Sequence, residues 1–314
     1  MKKKSKIILS ILLILILIAA VIFTIFVGKN VFDGITNPVS REDSIKHIEL
    51  YRDEYENFKK HHTVKEIKIS SSEFGHNIPA IYASDDGNEN IAVLIHGMGG
   101  TKESLSHIAD IFLSLGYNTL IYDERNAGEN LANYSTFGIL ESYDALDAIN
   151  YAKSHIKKGG KILLFGESFG ASTALIASSR DDSNINYLVL DSPVADFYEM
   201  VDQIFDKISK EENVPKSYMK FAGDIYTKSK LGFGFDDINS ANWIKDKKLK
   251  SPVLIINSMK DEVTPPHMGK EIYDNISGDK KELHTEKDYK HIEFAIKNPT
   301  GYKKVISDFL LKYK

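Results

Sequence analysis

Apolar positions in this chain fall into three patterns. From Ile7 to Val27 they form a continuous run, interrupted only by Ser10 and Thr24, with no polar face. Further on, short runs of strand length recur: Ile91–Ile95, Tyr117–Tyr122, Ile162–Phe165, Tyr187–Leu190 and Val253–Asn257. Between these runs the spacing turns helical. Leu105, Ile108, Phe112 and Leu115 make one stripe of a helix over 103–115 that stops at Gly116, and a long helix follows Gly138 to about His155. Tyr302, Val305, Ile306, Phe309 and Leu310 mark a closing helix. Two extended stretches, 63–69 and 78–83, are separated by the turn residues 73–77 and predict an antiparallel hairpin at a sheet edge. Alternating strand and helix predicts an α/β chain with a mostly parallel central sheet, helices on its flanks, right-handed crossovers and a site at the carboxyl ends of the strands.

The first run carries its own prediction. Its 21 residues, at 1.5 Å each, reach about 31 Å and match a hydrocarbon core of about 30 Å. Bulky Phe23, Ile25, Phe26 and Val27 close it where a cleavable signal would carry small residues, so it reads as an uncleaved signal anchor over 7–27. Lys2, Lys3, Lys4 and Lys6 precede it and only Lys29 follows closely. That asymmetry places a basic tail, 1–6, in the cytoplasm and the remainder outside the cell, on a single-pass membrane protein. Asn37-Pro38 then breaks the chain. Ser40 is placed to cap a helix to about Lys60, with Ile45, Ile48, Tyr51, Tyr55 and Phe58 on one face, so 28–62 reads as a juxtamembrane linker and helix.

Composition narrows the chemistry. The chain has 314 residues, 27% of them charged, with a net charge of −4. Its lysines and arginines are interspersed with acidic residues rather than clustered on one face, which argues against a nucleic-acid groove. There are no cysteines, so disulfides, thiolate metal sites and a cysteine nucleophile are excluded. His61-His62 has no third ligand nearby in sequence, and His267 beside Pro266 reads as a surface residue; no metal and no cofactor is expected.

The sequence K-I-L-L-F-G-E-S-F-G-A-S-T-A-L-I-A, from Lys161 to Ala177, places G-x-S-x-G between an apolar strand and a helix. The motif alone arises by chance in roughly one chain in ten of this length, so its context must carry it. At a strand-to-helix turn the serine sits in a strained conformation that demands small neighbours, here Gly166 and Gly170, and its oxygen projects outward. The N–H of Phe169 then lies at a helix N-terminus, where an oxyanion is favoured. A second donor is expected from His96-Gly97-Met98-Gly99-Gly100, the glycine-rich turn after an earlier strand, and is assigned to Met98. His96 itself reads as a structural hydrogen-bonding residue.

A serine nucleophile needs a base, and the base needs a buried acceptor. Asp261, just past the strand 253–257, is placed to be that acceptor, with Asp191 as the fallback and Glu262 behind it. His291 sits in the loop 288–291 and is preferred as base over His284, which lies within an extended run, because a loop reaches across the sheet edge more readily.

H-G-M-G-G, Y-D-E-R-N-A-G-E-N, S-T-F-G and G-E-S-F-G, in this order, resemble the α/β-hydrolase superfamily. Membrane-anchored serine hydrolases of Gram-positive bacteria, such as the staphylococcal fluorophosphonate-binding hydrolases, look most similar. The resemblance covers 63–314 and implies an α/β-hydrolase fold of esterase or lipase type. Many relatives read D-x-R-G-H-G-x-S where this chain has Asn126-Ala127-Gly128-Glu129-Asn130, which bears on substrate preference. The stretch 194–246, rich in aromatics and charges, with Phe197, Met200, Val201, Ile204, Phe205 and Ile208 at helical spacing, resembles the cap insertion that covers the active site in this superfamily.

The sequence thus predicts a serine hydrolase in which Ser168, His291 and Asp261 form a triad and Met98 and Phe169 an oxyanion hole. Its expected substrate is a small-molecule or lipid-like ester, either a lipid-like or a medium-chain acyl ester. A peptidase, an acyltransferase with the same residues, or a non-catalytic tethered binding protein on the same scaffold are the alternatives.

Overall fold

The computed structural model describes residues 2–314; Met1 of the basic tail lies outside the described residues. Eight strands form one sheet: β1 (Thr63–Ser70), β2 (Asn77–Ser84), β3 (Asn90–Ile95), β4 (Tyr117–Tyr122), β5 (Ile162–Glu167), β6 (Tyr187–Asp191), β7 (Val253–Ser258) and β8 (Lys281–Glu286). The helices are α1 (Lys2–Thr36), α2 (Arg41–His61), α3 (Ser106–Ser114), α4 (Glu141–His155), α5 (Phe169–Arg180), α6 (Phe197–Glu212), α7 (Lys216–Leu231), α8 (Ser240–Ile244), α9 (Pro266–Asn275), α10 (Glu293–Lys297) and α11 (Pro299–Lys312). The chain divides into two compact units, one of residues 1–38 with 198–237, the other of 39–197 with 238–314.

In the larger unit the strand order is β1-β2-β4-β3-β5-β6-β7-β8. The β1–β2 and β2–β4 pairs are antiparallel and the rest are parallel. The central strands are apolar because both faces are covered. Val93, Leu94 and Ile95 of β3 and Leu163, Leu164 and Phe165 of β5 are fully buried. One face is covered by Phe58 of α2, Ile108 and Phe112 of α3, and Ile306 and Phe309 of α11. Helices α4, α5 and α9 pack against β3, β5 and β7. From β3 the chain passes to β4 on one side and then returns to β5 on the other. The strand order therefore reverses between β3 and β5, and crevices at such a reversal bind ligands.

The helix expected over 103–115 is shorter than its stripe. Residues Lys102–Leu105 form a 3₁₀ turn and α3 begins only at Ser106. Local hydrogen bonds explain the break. Ser104 Oγ donates to the Thr101 carbonyl and accepts from the Thr101 N–H, while the Lys102 N–H is taken by Asp123.

In the smaller unit α1 continues for nine residues past the apolar run as one helix, ending where Asn37-Pro38 was expected to break the chain. Gly28 does not interrupt it because that face is closely packed: a Cβ there would lie 2.5 Å from the Ala222 carbonyl oxygen of α7. Over 7–26 the side chains of α1 are largely exposed, and the helix is long and apolar enough to cross a membrane.

Candidate active site

The turn from β5 into α5 is built by close backbone contact. A Cβ on Gly166 would stand 2.2 Å from the Gly170 carbonyl oxygen, and one on Gly170 would stand 2.4 Å from the Ile95 carbonyl oxygen at the end of β3. No side chain fits at either position. Ser168 between them adopts φ +53°, ψ −120°, a conformation costly for a residue with a Cβ, and its N–H is held by the Asp191 carbonyl at 2.7 Å. Strain recurs around the site: Ile292, next to His291, has φ +51° and Ser192, next to Asp191, has φ +49°.

The three side chains named from the sequence form one hydrogen-bonded line. His291 Nδ1 lies 2.8 Å from Asp261 Oδ2 and His291 Nε2 lies 2.8 Å from Ser168 Oγ. An ionised Asp261 can only accept, so Nδ1 carries the proton and Nε2 accepts from the serine hydroxyl. Asp261 is held rigidly: the N–H groups of Val263 and Thr264 donate to Oδ1 at 2.9 and 2.8 Å, and the Thr264 hydroxyl donates to Oδ2 at 2.9 Å. Burial raises the Asp261 carboxyl, but the hydrogen bonds from His291 and Thr264 outweigh it and keep its pKa below the usual value. The Asp261 side chain is 1% exposed and that of His291 is 18%, so the line leads from the interior outward.

Met98 follows β3 in the glycine-rich turn and Phe169 opens α5. Among the described residues neither backbone N–H donates a hydrogen bond within the protein. Gly97, just before Met98, packs on Ser168: a Cβ there would be 3.3 Å from the serine Cβ. The turn is braced from behind. His96 is buried, donates from Nδ1 to the Gly97 carbonyl at 2.8 Å and accepts the Glu124 N–H on Nε2 at 3.1 Å; burial lowers its pKa and keeps the ring neutral. Lys102, also buried, meets Asp123, Glu103 and Glu129 at 3.0–3.1 Å. Burial alone would lower the Lys102 pKa, but Asp123 and Glu103 raise it well above the usual value.

The remaining histidines have other places. His284 lies on β8 and pairs with Glu286 at 2.8 Å. His62 bridges Asp85 and Asp110, each at 2.7 Å. Among the described residues no cluster of histidine and carboxylate side chains suits a metal ion.

Sequence reasoning missed a second layer of acids. The fallback Asp191 makes no hydrogen bond to His291, whose charge only lowers its carboxyl slightly; it accepts the Tyr302 hydroxyl at 2.7 Å and the Ser192 hydroxyl at 3.1 Å. Beside it lies Glu167, the residue before Ser168. Burial, with Asp191 as a neighbouring charge, pushes the Glu167 carboxyl up to about 8 against the pull of the Gly97 N–H, and burial pushes Asp191 up to about 6. The signal was present in G-E-S-F-G, where an acid occupies a position flanked by buried strand.

These shifts carry a prediction. Between the ordinary glutamate value and about 8, the folded chain holds a proton on Glu167 that the unfolded chain has released, so stability falls as pH rises through that window. The slope for one such group is about 1.4 kcal/mol per pH unit. Glu167→Gln is therefore expected to flatten the decline in melting temperature between pH 5 and 8. A variant that melts with the unaltered pH slope would show that Glu167 is ionised in the folded protein.

The sheet and the strained turn at Ser168 define an α/β-hydrolase fold. Residues 87–294, more than half of the chain, match the Hydrolase_4 family, described as serine aminopeptidase, S33, and the chain belongs to that family. It is 26% identical over 243 residues to the protein YqkD of Bacillus subtilis, covering 77% of this chain and 78% of that one. It is 25% identical over 224 residues to the lysophosphatidylserine lipase ABHD12 of Xenopus tropicalis, covering 68% of this chain but only 52% of the lipase. The esterase Pf2001 of Pyrococcus furiosus superposes with a TM-score of 0.63 at 20% identity, covering 82% of this chain and 94% of the esterase, and shares the fold.

Proposed function

We propose that the protein is a membrane-anchored serine hydrolase of carboxylic esters with lipid-like or medium-chain acyl groups. One observation carries the reading: the unbroken hydrogen-bonded line from Asp261 through His291 to Ser168, with 2.8 Å at each step through the imidazole. In this reading the Ser168 oxygen attacks the ester carbonyl carbon while its proton passes to His291 Nε2. Asp261 stabilises the resulting imidazolium. The carbonyl oxygen becomes an oxyanion facing the Met98 and Phe169 N–H groups, which are worth far more there than in water. Collapse expels the alcohol, which takes the proton from His291 and leaves an acyl-enzyme on Ser168. Water, deprotonated by the same imidazole, then releases the acid and restores the serine. No step requires a cofactor.

Helix α1 is proposed to anchor the chain, with residues beyond 27 on the outer side of the membrane. The likeness to a lysophosphatidylserine lipase supports a lipid ester as substrate class. The family description supports a second reading, cleavage of peptides from their amino end. A panel of p-nitrophenyl esters from acetate to palmitate, a lysophospholipid and aminoacyl p-nitroanilides separates the two. The ester reading predicts kcat/KM rising with acyl length into the medium-chain range and no measurable anilide turnover. Anilide turnover above that of every ester would replace it with the peptidase reading.

A further inference from the structure

The apolar stripe of α6 is wider than the protein buries. Phe197, Val201 and Phe205 are buried, whereas Ile204 is 55% and Ile208 37% exposed. On α7, Phe221 is 56% and Ile225 47% exposed. Each pair is spaced by four residues and makes one stripe along its helix. Four large apolar side chains on two neighbouring helices need a partner.

The contacts of α7 indicate which one. Tyr218 hydrogen-bonds Thr24 at 2.7 Å and stacks on Phe23 at 5.8 Å. One turn on, Ala222 lies against Gly28, and a further turn on, Tyr226 lies against Phe32. Helix α7 therefore runs parallel to α1, each α7 residue beside the α1 residue 194 positions earlier. Helix α6 runs the opposite way, tied to α7 by Lys216–Asp206 at 2.8 Å and Lys220–Asp202 at 2.7 Å. The connection between α6 and α7 thus points back toward the apolar run of α1. Thr24 lies three residues before the end of that run, about 4.5 Å along the helix. Tyr218 consequently sits at the depth where the run meets the headgroups, the level favoured by interfacial aromatics. Phe221 stands level with Val27, and Ile204 and Ile208 lie toward the connection. Lys207 and Lys210 occupy the same end beside Glu211 and Glu212, with Lys207 4.0 Å from Glu211, so this end of the hairpin is strongly polar and belongs among the headgroups rather than in the hydrocarbon.

We propose that the α6–α7 hairpin is immersed in the membrane interface on the side where α1 emerges, with Ile204, Ile208, Phe221 and Ile225 in contact with lipid. The inference rests on α1 as a membrane span and not on the reaction at Ser168. It makes the hairpin a monotopic element beside a transmembrane one, a geometry in which apolar side chains sink about 5–10 Å below the polar surface.

The absence of native cysteines makes the test direct. Full-length protein carrying Ile208→Cys, Phe221→Cys, Ser229→Cys or Ile16→Cys is labelled with an environment-sensitive fluorophore. It is then reconstituted into phosphatidylcholine vesicles containing lipids with a nitroxide at carbon 5 or carbon 12. Ile16, at mid-span, reports whether α1 is inserted. Ser229 lies on α7 level with Ile35, eight residues beyond the run, and reports the water side. The proposal predicts quenching of Ile208 and Phe221 labels by the shallow nitroxide at least about twofold stronger than at Ser229, with Ile16 quenched by the deep one. Quenching at Ile208 and Phe221 no stronger than at Ser229, with Ile16 quenched, overturns the proposal and leaves the span intact. A blue-shifted but unquenched label at those two positions also overturns it, assigning the surface to a second copy of the chain. An unquenched Ile16 removes the span and the proposal together.

Discussion

Ser168→Ala is expected to lower ester turnover by about 10⁴- to 10⁶-fold while leaving the melting temperature within a few degrees of the parent. The size follows from what the side chain does in the proposed reaction: without its oxygen no acyl-enzyme forms, and only the oxyanion donors and substrate positioning remain. The small effect on stability follows from the backbone. The strained turn is made by Gly166, Gly170 and the hydrogen bond from the Ser168 N–H to Asp191, none of which uses the serine oxygen. Steady-state kinetics on a p-nitrophenyl ester, alongside a melting curve, checks both. Residual turnover within tenfold of the parent would exclude Ser168 as the nucleophile.

The second large effect separates two acids. Asp261→Asn is expected to cost about 10³- to 10⁴-fold in kcat, because an asparagine oriented with its N–H₂ toward His291 favours the imidazole tautomer whose Nε2 carries the proton, and that nitrogen can no longer accept from Ser168. Asp191→Asn is expected to act differently. Its carboxyl already meets hydroxyls from Tyr302 and Ser192 rather than His291, so the change falls mainly on stability and on the proton held by Glu167. Parallel measurement of kcat and melting temperature in the two variants distinguishes them. If Asp191→Asn removed activity and Asp261→Asn did not, the roles of the two acids would be reversed.

How much of this was legible in the sequence depends on the reach of each signal. Strand β5, the glycine pair of the elbow and α5 are adjacent in the chain, so their geometry is written in local spacing. Asp261 and His291 lie 93 and 123 residues beyond Ser168, and what singles them out in the sequence is their position at strand and loop ends, in an order the fold imposes; the structure brings them into one hydrogen-bonded line with Ser168. The layer behind the elbow was not legible. Tyr302 fits the apolar stripe of α11, and nothing in that stripe records that its hydroxyl reaches Asp191 across 111 residues. The break between Lys102 and Ser106 was missed for a similar reason, since Asp123 takes the Lys102 N–H from another strand's end. The pairing of α7 with α1 left no trace either. Both helices have plausible faces of their own, and only the small residues Gly28, Ala222 and Gly223 mark the close approach.

The loop 126–130, which departs in part from the D-x-R-G-H-G-x-S pattern, is tied to a buried network. That loop is fixed through Asp123, which accepts the Lys102 ammonium and the N–H groups of Lys102 and Glu129, while Asn130 donates to the Asp123 carbonyl. A Cβ on Gly128 would lie 2.5 Å from the Asp123 carboxyl, which accounts for the glycine at φ +51°. Of the residues that differ from the pattern, Asn130 serves this buried network through its side chain.

The central claim is an activated serine at the elbow, and the most direct measurement is covalent capture. Full-length protein in detergent or vesicles is treated with a fluorophosphonate, digested, and the adduct located by peptide mass spectrometry. A single adduct on Ser168, lost in His291→Ala, is expected. An adduct on another residue, or none on protein shown to be folded, would contradict it.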